Sequence, residues 1–161
     1  MADFSSRFSS RRQDWTTPRD IFDPLNVEFN FTLDAAASPK NALAATFYTK
    51  TDDAMARDWG QHVVWLNPPY GDGYRLSDWV AKAHRASVGG ATVVMLIPAR
   101  TNTVWFHDYC LALAEVRFIK GRPKFGDADH GLPQPLCIII FRPGLKPGVP
   151  VECALARLSV L

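Results

Sequence analysis

Cysteine is scarce in this chain. Its 161 residues include three, Cys110, Cys137 and Cys153. The count is odd and no two stand in a C-x-x-C pair, which argues against a disulfide framework or a zinc knot. Cys110 and Cys137 lie in apolar stretches, where a small buried thiol is the ordinary reading, and the pattern suits a reducing compartment. No apolar run exceeds strand length, so no membrane span is expected. The N-terminus lacks the apolar core of a signal peptide, and the expected location is the cytoplasm. Net charge is also small, +2. That neither requires nor forbids nucleic acid, so any such partner must meet a local basic face. His62, His84, His107 and His130 are far apart in the chain. Only His107 and Cys110 are near neighbours, and no metal site is expected. A Gly-rich phosphate loop ending in Lys-Ser/Thr, a G-x-S-x-G turn and a paired-carboxylate constellation are all missing.

What is present fits one soluble domain. Apolar residues make up 47% and charged residues 21%, and the length is enough for one sizeable core. Residues 1–14, rich in Ser and Arg, read as a flexible arm, either a loose terminus or a basic strip (Arg7, Arg11, Arg12) that touches phosphates. Residues 15–161 read as a single domain. Thr16-Thr17-Pro18-Arg19-Asp20 is a helix start, with Thr17 as cap and Pro18 at the first position. That helix is expected to end before Asn26. Phe29 to Leu33 alternates as a strand ending at Asp34, and Thr46 to Thr49 is a second short strand. Val63-Val64-Trp65-Leu66 is a continuous apolar run, the mark of a strand buried on both faces. Leu76 to Val88 has helical spacing closed by Gly89-Gly90. Thr92 to Ile97 is another buried strand and Thr103 to Ala114 another helix. Val116 to Ile119 and Cys137 to Phe141 complete the strands. This order predicts an α/β fold with a doubly wound, mostly parallel sheet and a late antiparallel edge.

The sharpest motif is Asn67-Pro68-Pro69-Tyr70, at the carboxyl end of the Val63–Leu66 run, where open α/β sheets bind ligands. An amino nitrogen conjugated to a heterocyclic base is a poor nucleophile, because its lone pair is delocalised into the ring. Two acceptors near that nitrogen would hold its hydrogens and localise the lone pair. The Asn67 side-chain oxygen and the Pro68 carbonyl can supply them. The prolines make the turn rigid, so the acceptors need little reorganisation. Tyr70 offers a face on which an extruded base can stack. A Pro-Pro loop that merely ends a strand is the plainer alternative.

At these residues the sequence resembles the phage-type DNA N6-adenine methyltransferases. The resemblance runs from about Trp15 to Phe141. It is carried by Trp15-Thr16-Thr17-Pro18, Leu33-Asp34-Ala35-Ala36-Ala37-Ser38, Asp53 with Asp58-Trp59, and Asn67-Pro68-Pro69-Tyr70-Gly71. Leu96-Ile97-Pro98-Ala99-Arg100-Thr101, Trp105-Phe106 and Arg117-Phe118-Ile119-Lys120-Gly121-Arg122 with Phe125 extend it. The resemblance implies a compact, Rossmann-like fold of the S-adenosylmethionine-dependent methyltransferase type, DNA as partner, and methylation of adenine N6. It implies Asn67, Pro68, Pro69 and Tyr70 as the catalytic turn. It also implies a bacterial host cytoplasm for a phage-encoded chain and protection of a mobile genome from restriction.

By the same resemblance Thr17 and Pro18 lie near the methionine end of the cofactor, and Asp34, Ala35 and Ala36 form the cofactor turn, with Asn67 beside it. The wider methyltransferase pattern has a glycine-rich turn there, whereas this chain has no glycine between Asp34 and Gly60. The plainer alternative is that Asp34 only ends its strand in a turn and the alanines start a helix. Asp53 is the better candidate of the Asp52-Asp53 pair for the cofactor's ribose or adenine, and a solvated loop acid is the alternative. Arg117, Lys120, Arg122 and Lys124 read either as a phosphate-binding edge or as charges that discourage strand pairing. Arg100 follows a strand at the same sheet end as Asn67. Only short loops, roughly 71 to 76, 100 to 104 and 122 to 136, are free to read DNA, so relaxed target preference is expected. Two other readings stay open: an inactive nucleic-acid-binding module on this fold, and an enzyme acting on another amino or amide group, N4 of cytosine included.

Overall fold

The computed structural model describes residues 16–69, 71, 73–126 and 131–144. The proposed arm at 1–14, Tyr70 and the chain after Gly144 lie outside the described residues. The elements run α1 (Arg19–Phe29), β1 (Leu33–Asp34), β2 (Thr46–Phe47), β3 (Val63–Leu66), α2 (Leu76–Val88), β4 (Thr92–Pro98), β5 (Glu115–Phe118) and β6 (Leu136–Phe141). A 3-10 turn (Lys50–Asp52) follows β2, and a π-helical stretch (Phe106–Leu111) precedes β5.

The six strands form one sheet in the order β2-β1-β3-β4-β6-β5. β2, β1, β3 and β4 pair in parallel, while β6 runs antiparallel to both β4 and β5. The two late strands thus make the antiparallel edge that the sequence suggested, in reverse of their chain order. β6 is inserted between β4 and β5, and β5 forms the rim. The insertion follows from burial. Leu136 to Phe141 is apolar at every position and buried throughout, so it belongs in the middle, whereas β5 mixes Glu115 and Arg117 into its run and tolerates the edge.

Alternate residues of the central strands enter two cores. Val64, Leu66, Val93, Met95, Ile97, Ile139 and Phe141 pack with Trp79, Val80 and Ala83 of α2 and with Phe106 and Cys110. Trp65, Val94, Leu96, Ile138 and Ile140 pack with Ile21, Phe22 and Leu25 of α1. Helices thus cover both sheet faces, which explains the unbroken apolar strands. The α1 side is aromatic: Phe22 meets Trp65 edge-on at 5.3 Å and Phe31 at 5.4 Å. Phe22→Ala would cost about 3–5 kcal/mol by emptying that contact.

α1 is longer than the sequence suggested. It continues through Pro24 and Asn26 to Phe29 and stops at Asn30, whose left-handed backbone donates its N–H to the Asn26 carbonyl at 2.8 Å. The Asn26 side chain accepts from the Phe31 N–H at 3.0 Å, so a residue that reads as a breaker closes the helix instead. The strand expected over 29–34 shrinks to Leu33–Asp34 as a result. Thr17 is not the helix cap either: the helix begins at Arg19 and Pro18 precedes it. α2 ends at Gly89-Gly90 as expected. At Gly90 φ is +112°, a conformation strained for any residue with a side chain, so the position favours glycine. The Cys137 thiol is buried and pushed up to about 12 by desolvation, in keeping with an inert core residue.

Candidate active site

β1, β3, β4 and β5 point the same way, so their carboxyl ends share one rim of the sheet. β2 and β3 flank β1 on opposite sides. The strand order therefore reverses at β1, and a crevice opens outside the carboxyl ends of β1 and β3, the usual ligand position in such sheets. Asp34 ends β1 and Asn67 follows β3, so they stand on the two sides of this crevice. Arg100 follows β4 and Lys120 follows β5 on the same rim.

Asn67 is half-buried, Pro68 is buried and Pro69 is exposed. The Asn67 side-chain Nδ2 donates to Thr17 Oγ1 at 3.3 Å across 50 residues of chain. Thr17 itself is only 4% exposed. No backbone N–H among the described residues donates to the Pro68 carbonyl. Among the described residues no donor reaches Asn67 Oδ1 or the Pro68 oxygen, which gives this rigid turn two acceptors.

Asp34 is buried at the strand end, and its two carboxylate oxygens accept from the Ala36 N–H at 3.3 Å and the Leu43 N–H at 3.0 Å. Burial pushes its carboxyl above the ordinary range, and the two backbone donors act against that. The carboxylate therefore shapes the Ala35–Leu43 loop. A cation brought to it would gain the compensation that desolvation withholds. Asp52 is committed elsewhere: it takes both the N–H and the hydroxyl of Thr49, at 2.8 and 2.6 Å. Asp53 is half-buried on a left-handed backbone, φ +50°, and its carboxylate accepts from the Met55 N–H at 3.2 Å and from the Tyr74 hydroxyl. The segment is clamped to α2 by Lys82, whose ammonium donates to the Arg57 carbonyl at 2.5 Å and lies 5.3 Å from the centre of the buried Trp59 ring.

The basic residues divide. Arg117 is not available to phosphate. It forms a bidentate pair with Glu28 at 2.6 and 2.7 Å and a third bond to Glu115 at 2.7 Å. Arg100, Lys120, Arg122 and Lys124 are exposed and make no ion pair among the described residues. The Lys120–Lys124 segment is docked near the crevice. Phe125 is buried in the α1-side core, and the Gly126 N–H donates to the Thr16 carbonyl at 3.2 Å. A Cβ at Gly131 would collide with the Arg122 backbone, so the returning strand of this loop packs tightly on the basic strip. Sequence reasoning missed Tyr74 and Lys82. The only available signal for Tyr74 was an aromatic hydroxyl close behind the Pro-Pro turn.

A family model described as DNA N-6-adenine-methyltransferase (Dam) matches residues 5–143. The chain belongs to this family. It is 35% identical over 108 residues to a DNA N-6-adenine-methyltransferase of Escherichia phage T1, a match covering 66% of this chain and 44% of the phage protein. A second relative is YfdM of Escherichia coli strain K12, provisionally named a methyltransferase. It is 40% identical over 63 residues, covering 35% of this chain and 69% of YfdM. The chain thus spans less than half the length of the phage T1 relative. The family match includes every candidate site residue discussed above. Among the described residues no group of acids, histidines and cysteines could hold a metal ion, and no helix is long and apolar enough to cross a membrane.

Proposed function

We propose that this chain transfers a methyl group from S-adenosylmethionine to the exocyclic N6 of adenine in DNA. The observation that carries the reading is the Asn67 turn at the sheet's crevice, with its amide nitrogen on Thr17 and two acceptors left over. A flipped adenine would place its amino hydrogens on Asn67 Oδ1 and the Pro68 carbonyl. Tyr70 would supply the stacking face. The bound cofactor supplies an already activated methyl sulfonium, so positioning and dipoles suffice and no general base is essential. The new N–C bond forms as the C–S bond breaks, and the amino group then releases a proton to water.

The chain's own residues suit that cofactor. The buried Thr17 hydroxyl hydrogen has no acceptor among the described residues, and a ligand carboxylate beside Pro18 could take it. The desolvated Asp34 carboxylate suits an ammonium, and Ala35 and Ala36 leave room for close approach. Asp53, which accepts only the Met55 N–H and the Tyr74 hydroxyl among the described residues, has lone pairs left for a ribose diol or an adenine amino group. Arg100, Lys120, Arg122 and Lys124 would line the rim on the β3 side of the crevice and hold phosphates, which position DNA without reading sequence. We further propose that residues 15–161 form the single methyltransferase domain, on a Rossmann-like fold, working in a bacterial cytoplasm with relaxed target preference.

The test is nucleoside mass spectrometry after incubating the protein with S-adenosylmethionine and unmethylated duplex DNA, beside Asn67→Ala. N6-methyladenine from the wild type alone supports the reading. N4-methylcytosine would keep the chemistry and correct the base. Absence of any methylated nucleoside and of cofactor binding would favour an inactive DNA-binding module.

A further inference from the structure

We infer that Thr17 is the positioning residue that orients the Asn67 carboxamide, holding its oxygen rather than its nitrogen toward the target amino group. The inference rests on the methyl-transfer reading above.

A carboxamide has two orientations related by a half-turn about its last side-chain torsion, and they differ little in shape. They differ completely in chemistry. With Oδ1 outward, Asn67 accepts a hydrogen from the target nitrogen. With Nδ2 outward, donor faces donor and the site repels its substrate. The proline-rich backbone cannot make this choice, because it fixes where the side chain starts and not which end faces out.

Thr17 makes it. Its Oγ1 lies 3.3 Å from Asn67 Nδ2, the one side-chain hydrogen bond of Asn67 among the described residues. At 4% exposure, Thr17 admits little water to offer Asn67 another partner. The backbone on both sides of Thr17 is pinned. The Thr16 carbonyl accepts from Gly126 at 3.2 Å, and the Pro18 carbonyl accepts from Ile21 and Phe22 at 3.1 Å each. The hydroxyl therefore stands at a fixed point before substrate arrives, which is what preorganisation requires. A hydroxyl can also donate, so the choice becomes strict where a ligand carboxylate takes the Thr17 hydrogen, which has no acceptor among the described residues, and leaves only lone pairs for Nδ2.

The test uses Thr17→Val, which keeps the shape and loses the acceptor, and Thr17→Ser, which keeps the acceptor. Single-turnover methyl transfer is measured at saturating S-adenosylmethionine and DNA. Thr17→Val is expected to slow transfer roughly 10- to 100-fold, the cost of a misplaced reacting group, with Thr17→Ser within about threefold of the wild type. A readout without DNA or turnover accompanies it, taken with S-adenosylhomocysteine bound. The Asn67 side-chain amide NMR signals, assigned by their loss in Asn67→Asp, should exchange slowly in wild type and Thr17→Ser and quickly in Thr17→Val. Transfer by Thr17→Val at the wild-type rate overturns the inference. So does a deficit that vanishes as cofactor is raised, since Thr17 would then act only in cofactor binding. Equal losses in Thr17→Ser and Thr17→Val overturn it as well, since the threonine methyl would then be what matters. A wild type that methylates nothing overturns the reading beneath it.

Discussion

The Tyr74 hydroxyl donates to both carboxylate oxygens of Asp53 at 3.3 Å each, joining the loop behind the Asn67 turn to the segment behind β2. Tyr74 also stands edge-on to Trp79 of α2, 6.1 Å between ring centres. The charge of Asp53 is the first cause that pushes the phenol above its ordinary 10.0, because the phenolate would face a carboxylate. Asp53→Asn should bring the Tyr74 titration back toward that value, read by NMR of labelled tyrosine. An unchanged titration would mean that the two groups do not meet in solution.

The same pairing bears on cofactor binding. If Asp53 receives the ribose or adenine of the cofactor, Asp53→Ala should weaken S-adenosylhomocysteine at least about tenfold by calorimetry, the scale of one hydrogen bond to a charged group. Asp52→Ala, whose carboxylate caps the Thr49 turn and meets Arg57 at 3.9 Å, should lower thermal stability and change affinity much less. Equal affinity losses in the two variants would remove Asp53 from the cofactor site.

The fold and the site differed in how far the sequence exposed them. Val63–Leu66 and Leu76–Val88 were legible because period and burial are local signals. Asn67 was legible because its turn sits directly behind such a strand. The α1 end was not: Pro24 and Asn26 look like breakers, and only the Asn30 and Phe31 backbone bonds to Asn26 show otherwise. Arg117 read as one of four equivalent cations, because its partner Glu28 lies 89 residues away. Thr17 with Asn67, and Tyr74 with Asp53, are likewise pairs that meet only once β1 and β3 are side by side.

Arg117 ties the end of α1 to the edge of the sheet. It bonds Glu28 and Glu115, and its guanidinium lies 5.7 Å from the centre of the Phe29 ring. Arg142 joins from β6's end through Glu115 at 2.9 Å. Arg117→Ala should destabilise the protein by about 1–3 kcal/mol in denaturant melts, since it strands two carboxylates and uncovers an aromatic. It should leave the salt dependence of DNA binding unchanged. A changed salt slope with unchanged stability would return Arg117 to the phosphate-binding set.

The exposed cations predict the opposite pattern. Lys120→Ala, Arg122→Ala and Lys124→Ala should each leave stability nearly intact and weaken DNA uniformly across sequences. Each cation taken off a phosphate should flatten the slope of log affinity against log salt by about 0.9. Arg100→Ala should do the same from the end of β4. If the triple variant keeps the wild-type slope, the strip only guards the β5 edge against strand pairing.

His84 sets a direction for acid stability. Its ring lies between Tyr109 and Phe141, at 5.5 and 5.8 Å, and its Nε2 is buried without a partner among the described residues. Desolvation first, and then the charge of Arg85, pull it below the ordinary 6.5. A base whose folded value is depressed takes up its proton more readily when unfolded, so stability is full above pH 6.5 and falls as the pH drops through that value. Glu28 and Glu115 are also held below their ordinary 4.5, Glu28 chiefly by its bond from Arg117, Glu115 by its bonds from Arg117 and Arg142 against the opposing desolvation, which is its largest influence. Their contribution is present above that value and is lost only at more acid pH. His84→Gln should therefore flatten the decline that begins near pH 6.5 and leave the later one near pH 4.5 in place. Thermal melts from about pH 4 to about pH 8 separate the two steps, and an unaltered first step in His84→Gln would assign it to another group.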